Sequence, residues 1–227
     1  MLQWLGLGII WKTLCLIKTY FYICNGQCQI NATESKPRDV TTYLLSTMFQ
    51  NFFITKKLKK ISIRGRFAFG VKCIEQYAFE KNIDNKWIYK ILETLWEFTN
   101  TDRLDIWDEK IEDLNPWNIL EEHPDNNPSD YKTLSINEFN ELYIFYNSLD
   151  KNFIDMIGNV IEIGTGNLYG ATGKFSLFSL KPTLEVLRIA KLEIKQIPDI
   201  KFFEFSKFSE ENGWGNNFSK DKLKNMW

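Results

Sequence analysis

One histidine, His123, stands in the 227 residues, and its isolation removes a large share of ordinary enzyme chemistry. Nucleophile–base pairs built on imidazole have a single candidate to use. The four cysteines fall at positions 15, 24, 28 and 73, and three residues separate Cys24 from Cys28. That gap is not the two-residue spacing of redox or zinc motifs, and no cysteine–histidine ligand set can be assembled. The cysteines read as free thiols in a reducing compartment. His123 lies in His123-Pro-Asp-Asn-Asn-Pro-Ser-Asp130 and reads as a surface loop residue. No Gly-x-Ser-x-Gly elbow, His-Glu-x-x-His pair or complete phosphate loop occurs. Gly164-Thr-Gly-Asn-Leu-Tyr-Gly170 imitates a nucleotide-binding turn, but a helical pattern precedes it and the final glycines are too far apart. A tight connection with glycines at positive φ is the expectation there. No enzymatic activity, metal or cofactor is expected.

A long apolar run is also missing. In residues 1–24, Trp4-Leu-Gly-Leu-Gly-Ile-Ile-Trp11 is followed by Lys12 and Lys18, leaving an uninterrupted stretch of about 11 residues against the roughly 20 that span a bilayer. Lys12 follows the apolar stretch instead of preceding it, unlike a secretory signal. A helix packed on the core, or a translated extension ahead of the true start, is preferred over a membrane-interface segment. The expected compartment is the cytoplasm.

Hydrophobic residues make up 44% of the chain and charged residues 25%, which suits a globular domain, while aromatic content reaches 15%. A formal net charge of -1 argues against general nucleic-acid binding by the whole molecule. Its distribution is uneven. Lys56, Lys57, Lys59, Lys60, Arg64 and Arg66 are the only charges from Thr55 to Arg66. From Glu93 to Glu141, 14 carboxylates face Arg103, Lys110 and Lys132, a local excess of 11 negative charges. Solvated helix faces account for most such runs, and a charged partner is the sharper alternative.

Apolar periodicity predicts helices along most of the chain after residue 40. Phe67, Val71, Ile74 and Ala78 share one helical face, widened by Phe69 and Cys73. Ile88, Ile91, Leu92, Leu95 and Trp96 form the stripe of a second helix, with Asn85 or Asp84 as its cap. These two helices should form a hairpin around which the rest packs. Thr99-Asn-Thr-Asp102 resembles a capping box for a third helix, with Leu104, Trp107, Ile111 and Leu114 inward and Pro116 as its stop. Ser135-Ile-Asn-Glu138 is a fuller capping box, opening a helix that buries Phe139, Leu142, Tyr143, Tyr146 and Leu149. A helix from Phe153 should end at Gly164 in a left-handed cap, and Ser179 should cap the last long helix. Phe202-Phe-Glu-Phe-Ser-Lys-Phe208 is too aromatic for a free tail and should wrap back over the helices. The expected fold is therefore mainly α. It comprises a single multi-helix globular domain over residues 55–227, with an irregular aromatic C-terminal wrap. Residues 1–54 form an atypical N-terminal extension or accessory helices.

Ile63-Arg-Gly-Arg-Phe-Ala-Phe-Gly70 and Leu95-Trp-Glu-Phe-Thr99 resemble a family of bacterial helical proteins similar to immunity proteins of polymorphic toxins. Ile161-Glu-Ile-Gly164, Asn167-Leu-Tyr-Gly170, Pro198-Asp-Ile200 and Phe208-Ser-Glu-Glu-Asn-Gly-Trp-Gly215 extend the resemblance over about residues 59–218. The resemblance implies a cytoplasmic inhibitor of a cognate toxin domain and carries no catalytic residues. A nuclease toxin would present a basic cleft, which an acidic segment could fill. Asp102, Asp105, Asp108, Glu109, Glu112 and Asp113 are the candidate partner-binding carboxylates. Trp107, Trp117 and Trp214 are the candidate aromatic anchors, although each also suits a core. Two alternatives stay open. One is a nucleic-acid-associated regulatory protein using residues 56–66, and the other a metal hydrolase built on carboxylates.

Overall fold

The Ser62 hydroxyl accepts the amide of Gly65 at 3.0 Å and opens the helix around which the domain is built. The computed structural model describes residues 52–121 and 131–224. By contacts the chain divides into two units, Met1–Met48 and Phe49–Trp227. The first unit lies outside the described residues, as do His123, the other cysteines and most of the expected N-terminal extension. From residue 63 onward the described residues form α1 (Ile63–Glu80), α2 (Lys86–Asn100), α3 (Leu104–Glu112), α4 (Pro116–Glu121), α5 (Ile136–Asn147), α6 (Lys151–Thr165) and α7 (Leu177–Glu193) in turn. Three 3-10 turns, Ile200–Phe203, Glu211–Gly213 and Lys220–Leu223, punctuate the C-terminal segment. Residues 52–58 are helical as well. Among the described residues the β pairing is one isolated antiparallel bridge, Ile61 to Lys207. The fold is thus mainly α, and no described helix is long and apolar enough to cross a membrane.

Helix α1 is the hub because it is buried over most of its circumference. Thirteen of its 18 residues are buried, including every member of the predicted Phe67–Ala78 face and also Ala68, Phe69 and Cys73. A helix of that kind must be covered on several sides; α2, α6, α7 and the Ile200–Phe203 turn cover it. Asn82 at φ 54° ends it, with the amide of Ile83 on the carbonyl of Ala78 and that of Asn82 on Phe79. These are the two bonds of a Schellman closure, and asparagine tolerates the left-handed conformation it needs. Asn85 caps α2 as expected, its side chain accepting the Trp87 amide at 2.9 Å. The start of α1 meets the end of α2, where the Arg64 guanidinium donates to the carbonyls of Phe98 and Thr101. The hairpin is therefore antiparallel.

Arg64 and Arg66, part of the basic run 56–66 that the nucleic-acid alternative would use, are buried. Arg66 is 0% exposed. Its guanidinium donates to the Leu58 carbonyl at 2.8 Å, the Phe175 carbonyl at 2.9 Å and the Ser179 hydroxyl at 2.8 Å. It ties the entrance of α1 to the entrance of α7. Desolvation pulls its pKa down to about 10, still charged at neutral pH.

Several expected boundaries move. Thr99 is buried inside α2 and donates to the Trp96 carbonyl, so it cannot cap α3; Arg103 holds the cap position without a side-chain bond. Pro116 does not stop α3 but opens α4, where its missing N–H costs nothing. Ser176, not Ser179, caps α7 by accepting the Ser179 amide, so Pro182 falls inside the helix. Gly164 lies within α6, and Gly166 ends that helix at φ −59°, so no left-handed cap forms. The positive-φ glycines among the described residues are Gly173, Gly213 and Gly215, not the 164–170 set. The Ser135–Glu138 box is present as predicted, and Phe203 and Phe218 of the C-terminal wrap are buried against the helices.

Candidate functional site

Helix α3 sorts its residues by angle. Trp107 and Ile111 point into the core, and the Trp107 indole N–H donates to the Thr94 carbonyl at 2.8 Å, locking α3 onto α2. Asp105, Glu109 and Glu112 recur at spacings of four and three, share the opposite face and are exposed. Asp108 sits at the edge of that face and is buried. Its carboxylate accepts the phenol of Tyr169 at 3.0 Å, a residue 61 positions later. Burial pushes the Asp108 carboxyl above its usual range, with the tyrosine bond working against that shift. Tyr169 itself is 92% exposed. The result is a shelf of carboxylates with one projecting aromatic ring, supported from below by a tryptophan.

The candidate residues do not form a single surface. Trp107 is 1% exposed and belongs to the core, so it cannot be an aromatic anchor. Asp113 is buried too, and its carboxylate accepts both the amide and the hydroxyl of Thr133 at 2.5 Å. It closes the chain onto the approach to α5 and offers nothing to a partner. Asp108 is a support for Tyr169 and not a free carboxylate. Trp117 is half-buried, with its ring across the bare backbone of Gly158 on α6. Asp102 and the half-buried Trp214 share a separate depression with Arg64 and Asn217, where Asn217 donates to Asp102 at 2.5 Å. What remains together is Asp105, Glu109 and Glu112 on one exposed face of α3, with Tyr169 held at the edge of that face through Asp108.

Ion pairs moderate the acidity of the described part of the Glu93–Glu141 stretch. Arg103 binds Asp105 at 2.7 Å and pulls its carboxyl down to about 2. Lys132 binds Glu109 at 2.7 Å, Lys110 binds Glu97 at 2.8 Å, and Lys86 and Lys90 of α2 bind Glu141 and Glu138 of α5. All of these pairs are solvent-exposed, so each contributes little and breaks readily when a stronger partner arrives. Glu112 has no such cation among the described residues.

Tyr169 is the residue that sequence reasoning passed over. It lies in the glycine-bearing stretch 164–170, where attention went to the glycines. The available signal was an aromatic ring in an otherwise polar connection. Among the described residues no three histidine, cysteine or acidic side chains are placed to hold a metal ion. No protein-family model, no curated protein and no solved structure matches the chain.

Proposed function

We propose that the protein is an immunity protein that binds and neutralises a cognate bacterial toxin domain, with the α3 face as its docking surface. The observation that carries the surface assignment is the exposed Tyr169 ring held over Asp108 beside Asp105, Glu109 and Glu112. The toxin as partner rests on the sequence resemblance. Tyrosine is a preferred anchor at interfaces because one rigid ring combines large contact area with a polar tip. Carboxylates around it favour a basic partner, such as the substrate cleft of a nuclease, and accelerate its encounter. An inhibitor acting this way needs a rigid support and one complementary face, not a reactive group. The core supplies the support: Trp107 fixes α3 to α2, and the α1 hub fixes α2 to the rest.

The test is co-expression with the toxin domain encoded beside the gene. The protein should restore growth, and Asp105→Lys, Glu109→Lys and Glu112→Lys made together should lose that protection while the variant remains folded. No protection by the unmodified protein would end the immunity reading. Undiminished protection by the triple variant would end the assignment of this face.

A further inference from the structure

Lysines from opposite ends of the domain converge on one cleft of about 670 Å³. Lys56 and Lys57 project from the helical residues 52–58, and Lys60 follows them. Lys201 comes from the Ile200–Phe203 turn and Lys207 from the segment beyond it. The bridge between Ile61 and Lys207, with the Phe208 amide on the Lys60 carbonyl at 2.8 Å, fixes the two segments that carry Lys60 and Lys207 side by side. Glu204 is the one carboxylate lining the cleft, and it lies 3.5 Å from Lys57. Among the described residues no carboxylate lies within ion-pair reach of Lys56, Lys60, Lys201 or Lys207. Phe53 forms part of the wall, is 58% exposed, and meets Phe52 edge-on at 5.9 Å.

Unpaired ammonium groups held in one concavity repel one another, and a polyanion relieves that repulsion. We propose that this cleft binds the sugar–phosphate backbone of a single-stranded nucleic acid, with Phe53 stacking against one base. Lysines gathered around a concavity suit a strand lying in it, whereas a bilayer surface calls for charges presented on one plane. Ammonium point charges hold phosphates without reading sequence. The guanidinium forks that would match carboxylates in pairs, Arg64 and Arg66 of the same basic run, are buried. An exposed aromatic ring beside such a groove supplies the sequence-tolerant part of the affinity. This site is independent of the toxin-binding reading and of the α3 face.

The test is fluorescence anisotropy of the full chain with a labelled oligouridine of about 15 nucleotides, at salt between about 50 and 200 mM. Binding should be independent of base sequence. The logarithm of the association constant should fall against that of salt with a slope of about −3, four lysines at about −0.7 each. Lys56→Gln, Lys60→Gln, Lys201→Gln and Lys207→Gln together should flatten that slope and weaken low-salt binding by at least about tenfold. Phe53→Ala should weaken binding by about tenfold and leave the slope unchanged. The lysines are exposed at the cleft, so circular dichroism should show the quadruple variant unfolding at the temperature of the parent. No binding at the lowest salt overturns the proposal, and so does binding that the quadruple variant retains. Equal binding of polyglutamate, or preference for phosphatidylserine vesicles, would assign the cleft to another class of anion.

Discussion

A side chain at Gly164 would collide with Trp107: a Cβ built there lies 2.7 Å from the indole Cη2 and 2.9 Å from the Phe67 ring. The glycine is what lets α6 approach the indole that also anchors α3. Alanine at this position should gain up to about 1 kcal/mol in helix propensity and lose about 1–3 kcal/mol to overpacking. Gly164→Ala should therefore lower the midpoint of denaturant unfolding, by a net of about 1 kcal/mol. An increase would mean that the indole moves aside freely.

Arg66 predicts a larger effect. Removing its guanidinium leaves the buried carbonyl of Leu58 and the half-buried carbonyl of Phe175 without their donor. Arg66→Met should cost about 3 kcal/mol, lowering the melting temperature by about 10 °C. Arg66→Lys should also destabilise, because one ammonium cannot span the three acceptors that the fork reaches. Melting temperatures of both variants within about a degree of the parent's would contradict the staple role.

The capping box at α5 makes a prediction in pH. Bonds from the Ser135 amide and hydroxyl hold the Glu138 carboxyl at about 2, well below its ordinary 4.5. A depressed carboxyl stabilises the folded state above its unfolded value, and that contribution is lost as pH falls through the folded value. Glu138→Gln should thus differ most from the parent above pH 4.5 and converge with it towards pH 2. Denaturant midpoints of the two proteins across that range check it; a difference constant with pH would place the effect elsewhere.

The elements that sequence reasoning located were those with local causes. Asn85 and Ser135 cap the helices that follow them, and the 67–71–74–78 face is buried as its spacing requires. Ser176 was missed because Ser179 stands nearer the proline and looks equally competent. Pro116 was misread because a proline that stops one helix and one that opens the next look alike in sequence. At the site, sequence offers six carboxylates together, and the exposed face shared by Asp105, Glu109 and Glu112 emerges only once burial sorts them. The hydrogen-bond partners of buried Asp108 and Asp113 are Tyr169 and Thr133, which reach them from 61 and 20 residues away. No local pattern reports that, nor the meeting of Lys60 with Lys207.

Association kinetics with the purified toxin domain test the α3 docking face most directly. Charge reversal at Asp105, Glu109 and Glu112 should slow association by at least about tenfold at low salt, and added salt should narrow the gap. Tyr169→Ala should leave association nearly unchanged and speed dissociation by about 30-fold, as expected for an interface anchor. Rates unchanged in both variants would contradict the account and move the docking surface away from α3.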